Sequence, residues 1–182
     1  MEVDELVSVG NPTTNGGFLG VLVAYDQYSG LLAAVGLRRG DKMHEKLPSV
    51  LCQLTKGDMR RIRGLRADNQ FRSAEIQKLC ESNGWFIQFT VPYSHTGNGG
   101  VERANRTLQA TGRALLHAGG GQENLFVYAI LHAVRVVNAW PTQLNEQGEF
   151  VSPLQKFHGE NVKLEDIPLF GCHMTVPVPP DQ

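Results

Sequence analysis

The stretch PYSHTGNGGVERANRTLQ, Pro92 to Gln109, carries the reading of this chain. Small and flexible residues, Thr96 to Gly100, open directly into a sequence with helical spacing. The first carboxylate there is Glu102, and Arg103, Asn105, Arg106 and later Arg113 follow it. Positions 102, 105, 106, 109 and 113 recur at intervals of three and four, so they share one side of a helix. That side holds Glu, Asn, Arg, Gln and Arg, a face able to touch a phosphate backbone while Glu102 holds a cation. A solvated amphipathic face explains the same pattern more plainly. The remaining chain has to decide between them.

Working outward, an alternating segment around Val3–Val7 reads as a short strand, and GNPTTNGG as a turn. FLGVLVAYDQYSG is a strongly apolar strand that ends in a turn at Asp26–Gly30, and LLAAVGLRRG is a third strand. Residues 41–57 have weak helical character interrupted by Pro48. RRIRGLRADN holds a fourth strand leading to Asp68. SAEIQKLCESNG is a helix capped by Ser73, buried along Ile76, Leu79 and Cys80, and stopped at Asn83-Gly84. WFIQFTVP is a fifth strand. The spacing predicts a helix from Glu102 to Leu116 with Leu108, Leu115 and Leu116 inward, a break at Gly119–Gly121, and a helix from Asn124 to Ala139. Residues 1–142 therefore read as one α/β core, and 143–182 as a polar, proline-bearing extension packed on it.

The 182 residues suffice for an ordinary buried core. No long apolar run suits a membrane span, and the N-terminus lacks a basic-then-apolar signal pattern. Cys52, Cys80 and Cys172 are odd in number and form no CxxC pair, so they read as reduced thiols of an intracellular protein. The net charge of −1 is uninformative, but Arg60, Arg61, Arg63, Arg66 and Arg72 crowd one short stretch. Local basic patches can follow phosphates even in a neutral protein, although a solvated face looks the same in a sequence.

Asp68 ends a strand and Glu102 opens the helix after the next one, so both belong at one end of an α/β sheet. Asp4, in the first strand, is a third candidate, and Asp26 is its rival, although Asp26 falls where a turn is expected. Gathered carboxylates repel unless a cation joins them. Hard oxygen donors suit Mg²⁺ or Mn²⁺. Two such ions about 4 Å apart serve in-line displacement at phosphorus. Taken singly, an Asp at a strand end is more often a turn or cap residue, and a Glu in a first helical turn more often answers the helix dipole.

The blocks LRADNQFRS, CESNGWFIQFTVPYSHTGNGGVERANRTL and VVNAWPT, in this order, resemble the catalytic core of a retroelement integrase, and copia-type retrotransposon integrases in particular. VLVAYDQYSG and the tail SPLQKFHGENVKLEDIPLFGCHMTVPVP extend the resemblance over nearly the whole chain. It implies a ribonuclease H-like fold, a mixed five-stranded sheet flanked by helices. It also implies an Asp, Asp, Glu metal triad carried over to Asp4, Asp68 and Glu102, binding two Mg²⁺ or Mn²⁺ ions. The implied activity is a polynucleotidyl transferase and endonuclease that trims the 3′ ends of element DNA with water and joins them to target DNA. Asn98 and Gly99 would lie in the loop before the catalytic helix. Asn98, Gly99, Asn105, Arg106, Gln109 and Arg113 would contact DNA. The resemblance further implies a homo-oligomer, with the nucleus or a virus-like particle as its site of action. The DNQF run is two residues shorter than the DNGGEF run of the family, and neither a His-His-Cys-Cys module nor a small basic barrel is present. A polyprotein fragment, or a decayed or domesticated copy, is the corresponding expectation. Two other functions stay open: a non-catalytic integrase-like domain for DNA binding or assembly, and a ribonuclease H acting on RNA–DNA hybrids.

Overall fold

A computed structural model describes residues 1–7, 17–90 and 99–172. Five strands form one sheet: β1 (Glu2–Val7), β2 (Phe18–Tyr25), β3 (Leu32–Arg38), β4 (Gly64–Ala67) and β5 (Phe86–Phe89), in the order β3-β2-β1-β4-β5. β1 runs antiparallel to β2 and parallel to β4; β2 and β3 are antiparallel, and β4 and β5 parallel. The sheet is mixed, as the sequence pattern requires.

Helices cover both faces. On one side lie α1 (Met43–Thr55) and α2 (Ala74–Asn83), packed on Val3, Leu22, Ala24, Leu65 and Ala67. On the other lie α3 (Gly99–Ala118) and α4 (Phe126–Ala139), packed on Val21, Val23, Leu32 and Ala34. β2 is apolar at nearly every position because a strand covered on both faces cannot alternate. β1 does alternate. Val3 enters the α1 side, while Glu2 and Asp4 share the face of their β2 partners Tyr25 and Val23, towards α3.

Local signals explain most element ends. The Ser73 hydroxyl accepts the Ile76 N–H at the start of α2, and Gly84 closes the helix in the left-handed region. Gly120 and Gly121 hold positive φ after α3. Three details differ from the sequence reading. α1 is not interrupted: it continues through Pro48, whose ring removes the backbone bond to His44. The buried row Leu47, Val50, Leu51 and Leu54 on the core compensates for that loss. α3 starts at Gly99, three residues before the expected start, so Glu102 is its fourth residue. Leu108 is fully buried, whereas Leu115 and Leu116 are only partly covered.

Beyond α4, a hairpin of β6 (Gln143–Leu144) and β7 (Phe150–Val151) leads to α5 (Pro153–His158), whose Leu154 and Phe157 pack against the α1-side core. Ser152 caps α5 by accepting the Gln155 N–H. Among the described residues, no helix is long and apolar enough to cross a membrane.

Leu108 joins α3 to both the sheet and α4 with no exposed surface. Leu108→Ala is expected to lower unfolding free energy by about 2–5 kcal/mol in urea titrations. Leu169→Ala, at a side chain 80% exposed, should change it by less than about 0.5 kcal/mol.

Candidate active site

The parallel register builds the site. Glu2 pairs with Arg66, and Arg66 with Gln88, in one row across β1, β4 and β5. Two residues further on, the same face presents Asp4, Asp68 and Thr90, the last two just past the ends of their strands. The Thr90 N–H donates to the Ala67 carbonyl at 3.0 Å, which extends the ladder and brings Thr90 beside Asp68.

Asp4 and Asp68 have protein donors. Asp4 Oδ1 accepts the Glu5 N–H at 2.9 Å, and Asp4 Oδ2 accepts Asn105 Nδ2 at 3.0 Å. Asp68 Oδ1 accepts the Asn69 N–H at 2.6 Å and the Thr90 hydroxyl at 3.2 Å. Glu102 stands half-buried near the start of α3. Burial pushes the Asp4 carboxyl above its ordinary range; the Glu5 N–H opposes it, the negative charges of Asp68 and Glu102 add to it, and the Asn105 amide opposes it. Asp4 therefore feels both of the other carboxylates. The three do not close on a single point: among the described residues, no three carboxylate, histidine or cysteine groups stand close enough to share an ion. Donor type and shared charge fit a hard divalent cation.

A residue that sequence reasoning missed anchors this arrangement. Glu2 is only 3% exposed, and its Oε2 accepts the Val101 N–H at 2.8 Å. Its Oε1 accepts Arg66 Nη1 at 3.4 Å. The first amides of a helix lack intrahelical partners and favour an anion. Gly100 permits the approach, since a Cβ there would sit 2.5 Å from Glu2 Oε2 and 2.7 Å from the Tyr25 ring. Glu2 thus ties β1 to the turn of α3 that carries Glu102. The alternation Glu2-Val3-Asp4, read against a glycine-opened helix, was the available signal.

The remaining expected residues divide. Asp26 is used by its own turn, where Oδ2 accepts the Ser29 N–H at 2.9 Å and the Ser29 hydroxyl at 2.7 Å. It follows Tyr25, which pairs with Glu2, so it lies at the opposite end of β1 from the acids. Asn105 is buried against Asp4 and not on the exposed row, and its Oδ1 has no hydrogen-bond partner among the described residues. Arg106 and Arg113 are exposed on α3, Gln109 is half-exposed, and Gly99 is the first residue of the helix. Asn98 lies outside the described residues.

No protein-family model matches the chain. Over 125 residues, 68% of its length, it is 28% identical to the retrovirus-related Pol polyprotein from transposon TNT 1-94 of Nicotiana tabacum. Over 112 residues it is 29% identical to the corresponding polyprotein from transposon RE2 of Arabidopsis thaliana. The chain spans 9% and 8% of the length of these relatives. Among solved structures, the catalytic core domain of BIV integrase superposes with a TM-score of 0.57 over 86% of this chain and 91% of that one, at 21% identity. This is the fold of a retroelement integrase catalytic core. A chain of the simian T-cell lymphotropic virus intasome, in complex with PP2A regulatory subunit B56 gamma, gives a TM-score of 0.67 over all of this chain and 59% of that one, at 20% identity. The integrase-core likeness is ribonuclease H-like in its mixed sheet and flanking helices.

Two measurements test the geometry. Glu2→Gln swaps an acceptor for a mixed group facing two donors; it should cost about 1–3 kcal/mol in unfolding free energy and speed amide exchange at Val101. For Asp4, the folded chain binds the proton more tightly than the unfolded chain. That contribution favours folding below the unfolded value of about 3.9 and is lost as pH rises through the raised folded value. In EDTA, the melting temperature of Asp4→Asn relative to the parent should therefore climb from pH 4 to pH 7. A pH-independent difference would contradict the assigned burial and repulsion.

Proposed function

We propose that the chain is the catalytic core of a copia-type retrotransposon integrase, a metal-dependent polynucleotidyl transferase and endonuclease acting on DNA. The observation that carries this reading is the strand register that places Asp4 and Asp68 on one face of the sheet beside the start of α3, where the charges of Asp68 and Glu102 both raise the Asp4 carboxyl, on an integrase-core fold. Acids on one face whose charges reach Asp4, two of the three half-buried, are costly unless a cation uses them. Asp4, Asp68 and Glu102 would hold Mg²⁺ or Mn²⁺. When bound, such ions supply Lewis-acid stabilisation of charge developing on phosphodiester oxygens and lower the pKa of a bound water.

The chain's own residues prepare that chemistry. Asn105 orients Asp4, the Asn69 N–H and the Thr90 hydroxyl orient Asp68, and Glu2 fixes the helix turn that bears Glu102. Arg106, Gln109 and Arg113 line the outer side of α3, with Asn98 and Gly99 before them, as contacts to the DNA backbone. In end processing, a water oxygen bonds to phosphorus and the 3′ hydroxyl of the element leaves. In joining, that hydroxyl attacks a target phosphodiester and a target 3′ hydroxyl leaves. Element ends, target DNA and further copies of the chain are the partners under this reading.

One observation favours a second reading, a non-catalytic integrase-like domain. Asp4 and Asp68 accept hydrogen bonds from protein donors, and no three groups share an ion's reach among the described residues. Nicking of supercoiled plasmid in Mn²⁺ separates the two. Glu102→Gln should reduce nicking by about 100-fold or more, the scale for a group that acts in the transition state. A variant as active as the parent would overturn the assignment of Glu102, and a parent without nicking would favour the second reading. An RNA–DNA hybrid cleaved in preference to duplex DNA would redirect the activity to a ribonuclease H.

A further inference from the structure

The arginine run from Arg60 to Arg72 does not act as one patch. Arg66 turns to Glu2 and Gln88, and Arg72 lies 5.8 Å from the Phe89 ring centroid. Arg60, Arg61 and Arg63 instead line an open cleft of about 580 Å³, joined by Lys156 from α5 and by Tyr28 from the β2–β3 turn. Arg63 precedes β4 and Asp68 follows it, so the cleft lies at the other end of the strand, roughly 16 Å from the acids at about 3.3 Å per residue.

Two of the cations there, Arg61 and Lys156, are held against aromatic rings. The Arg61 guanidinium sits 4.0 Å from the Phe157 ring centroid and donates to the Phe157 carbonyl. Arg61 Nη1 meets His158 Nδ1 at 3.3 Å, and His158 Nε2 meets the Leu54 carbonyl at 3.0 Å. Burial holds the His158 pKa below its ordinary value. The neutral ring then donates from Nε2 and accepts Arg61 at Nδ1. Lys156 Nζ lies 4.6 Å from the centroid of the Tyr28 ring, which is 72% exposed. The two acids of the cleft are already engaged, Asp26 by Ser29 and Asp58 by Arg60 at 2.8 Å. Among the described residues, no carboxylate lies within ion-pair distance of Arg61, Arg63 or Lys156.

We propose that this cleft is a second nucleic-acid contact, in which Arg61, Arg63 and Lys156 hold the phosphate backbone of a DNA segment away from the acids. The proposal rests on the DNA-acting reading above. Guanidinium groups fixed on aromatic rings suit phosphate because their donors are oriented before binding and little side-chain freedom is lost. Phosphate contacts position DNA without reading sequence. A contact one strand length from the acids would fix how a bound segment crosses the sheet edge.

The test is the salt dependence of binding of a fluorescent 20-base-pair duplex, by anisotropy in EDTA between 50 and 200 mM KCl. Each lost phosphate contact lowers the slope of log K against log salt by about 0.9. Arg63→Ala/Lys156→Ala should lower it by about 1.8, and Arg63→Gln alone by about 0.9, which keeps the test valid if the double variant does not fold by circular dichroism. Arg106→Ala/Arg113→Ala on α3 reports on the DNA-acting reading separately. If that pair lowers the slope and the cleft variants leave it unchanged, the cleft proposal fails alone. If the folded parent binds no duplex, both fail. If the cleft variants lose binding of a poly-glutamate peptide and keep the DNA slope, the cleft is a protein-docking site and the proposal is overturned.

Discussion

A helix start has amide donors without partners, and a buried carboxylate needs donors. In this chain the two needs meet at Glu2 and Val101. The contact crosses from the central sheet to α3, and it forms because Gly100 lets the backbone approach the carboxylate. Everything at the acidic end follows from it. Glu102 is the residue after Val101, so its position relative to Asp4 is set by the same bond. Arg66 completes the anchor from β4, the strand that leads to Asp68. A single buried carboxylate thus links the three elements on which the three candidate acids reside.

The second constraint is charge. Burial raises the cost of ionising Asp4, and the charges of Asp68 and Glu102 add to it. Neutral donors offset part of it: the Asn105 amide and the Glu5 N–H. The polar row is confined to β1, β4 and β5, because on the same face β2 and β3 supply the apolar surface against α3 and α4. The sheet is divided lengthwise into a packing half and a chemical half. α3 spans the boundary, with Val101, Ala104 and Leu108 buried on one side and Arg103 and Arg106 exposed on the other.

Much of this was legible because it depends on local rules. Strand alternation, the Ser73 cap, the Gly84 stop and the glycine break after α3 are short-range signals with one physical meaning each. The integrase-like blocks added the mixed five-stranded sheet flanked by helices. What stayed hidden depends on contacts between distant residues. Glu2 looked like one more charge in an alternating strand, since nothing local announces a helix start 99 residues later. Asn105 shared a helical face with exposed arginines, and only the packing of α3 on β1 turned it inward to Asp4. Pro48 predicted a break because its own backbone chemistry is unfavourable, yet tertiary packing of Leu47 and Leu51 overrode it. The arginine run divided for the same reason: Arg66 lies within a strand, while Arg60, Arg61 and Arg63 sit before it.

The most direct measurement is Mn²⁺ titration by calorimetry, on the parent and on Asp4→Asn, Asp26→Asn, Asp68→Asn and Glu102→Gln. The account predicts saturable binding in the parent and in Asp26→Asn, and its loss in each of the other three. A folded parent that binds no Mn²⁺, or binding lost with Asp26 and kept without Asp4, would contradict it.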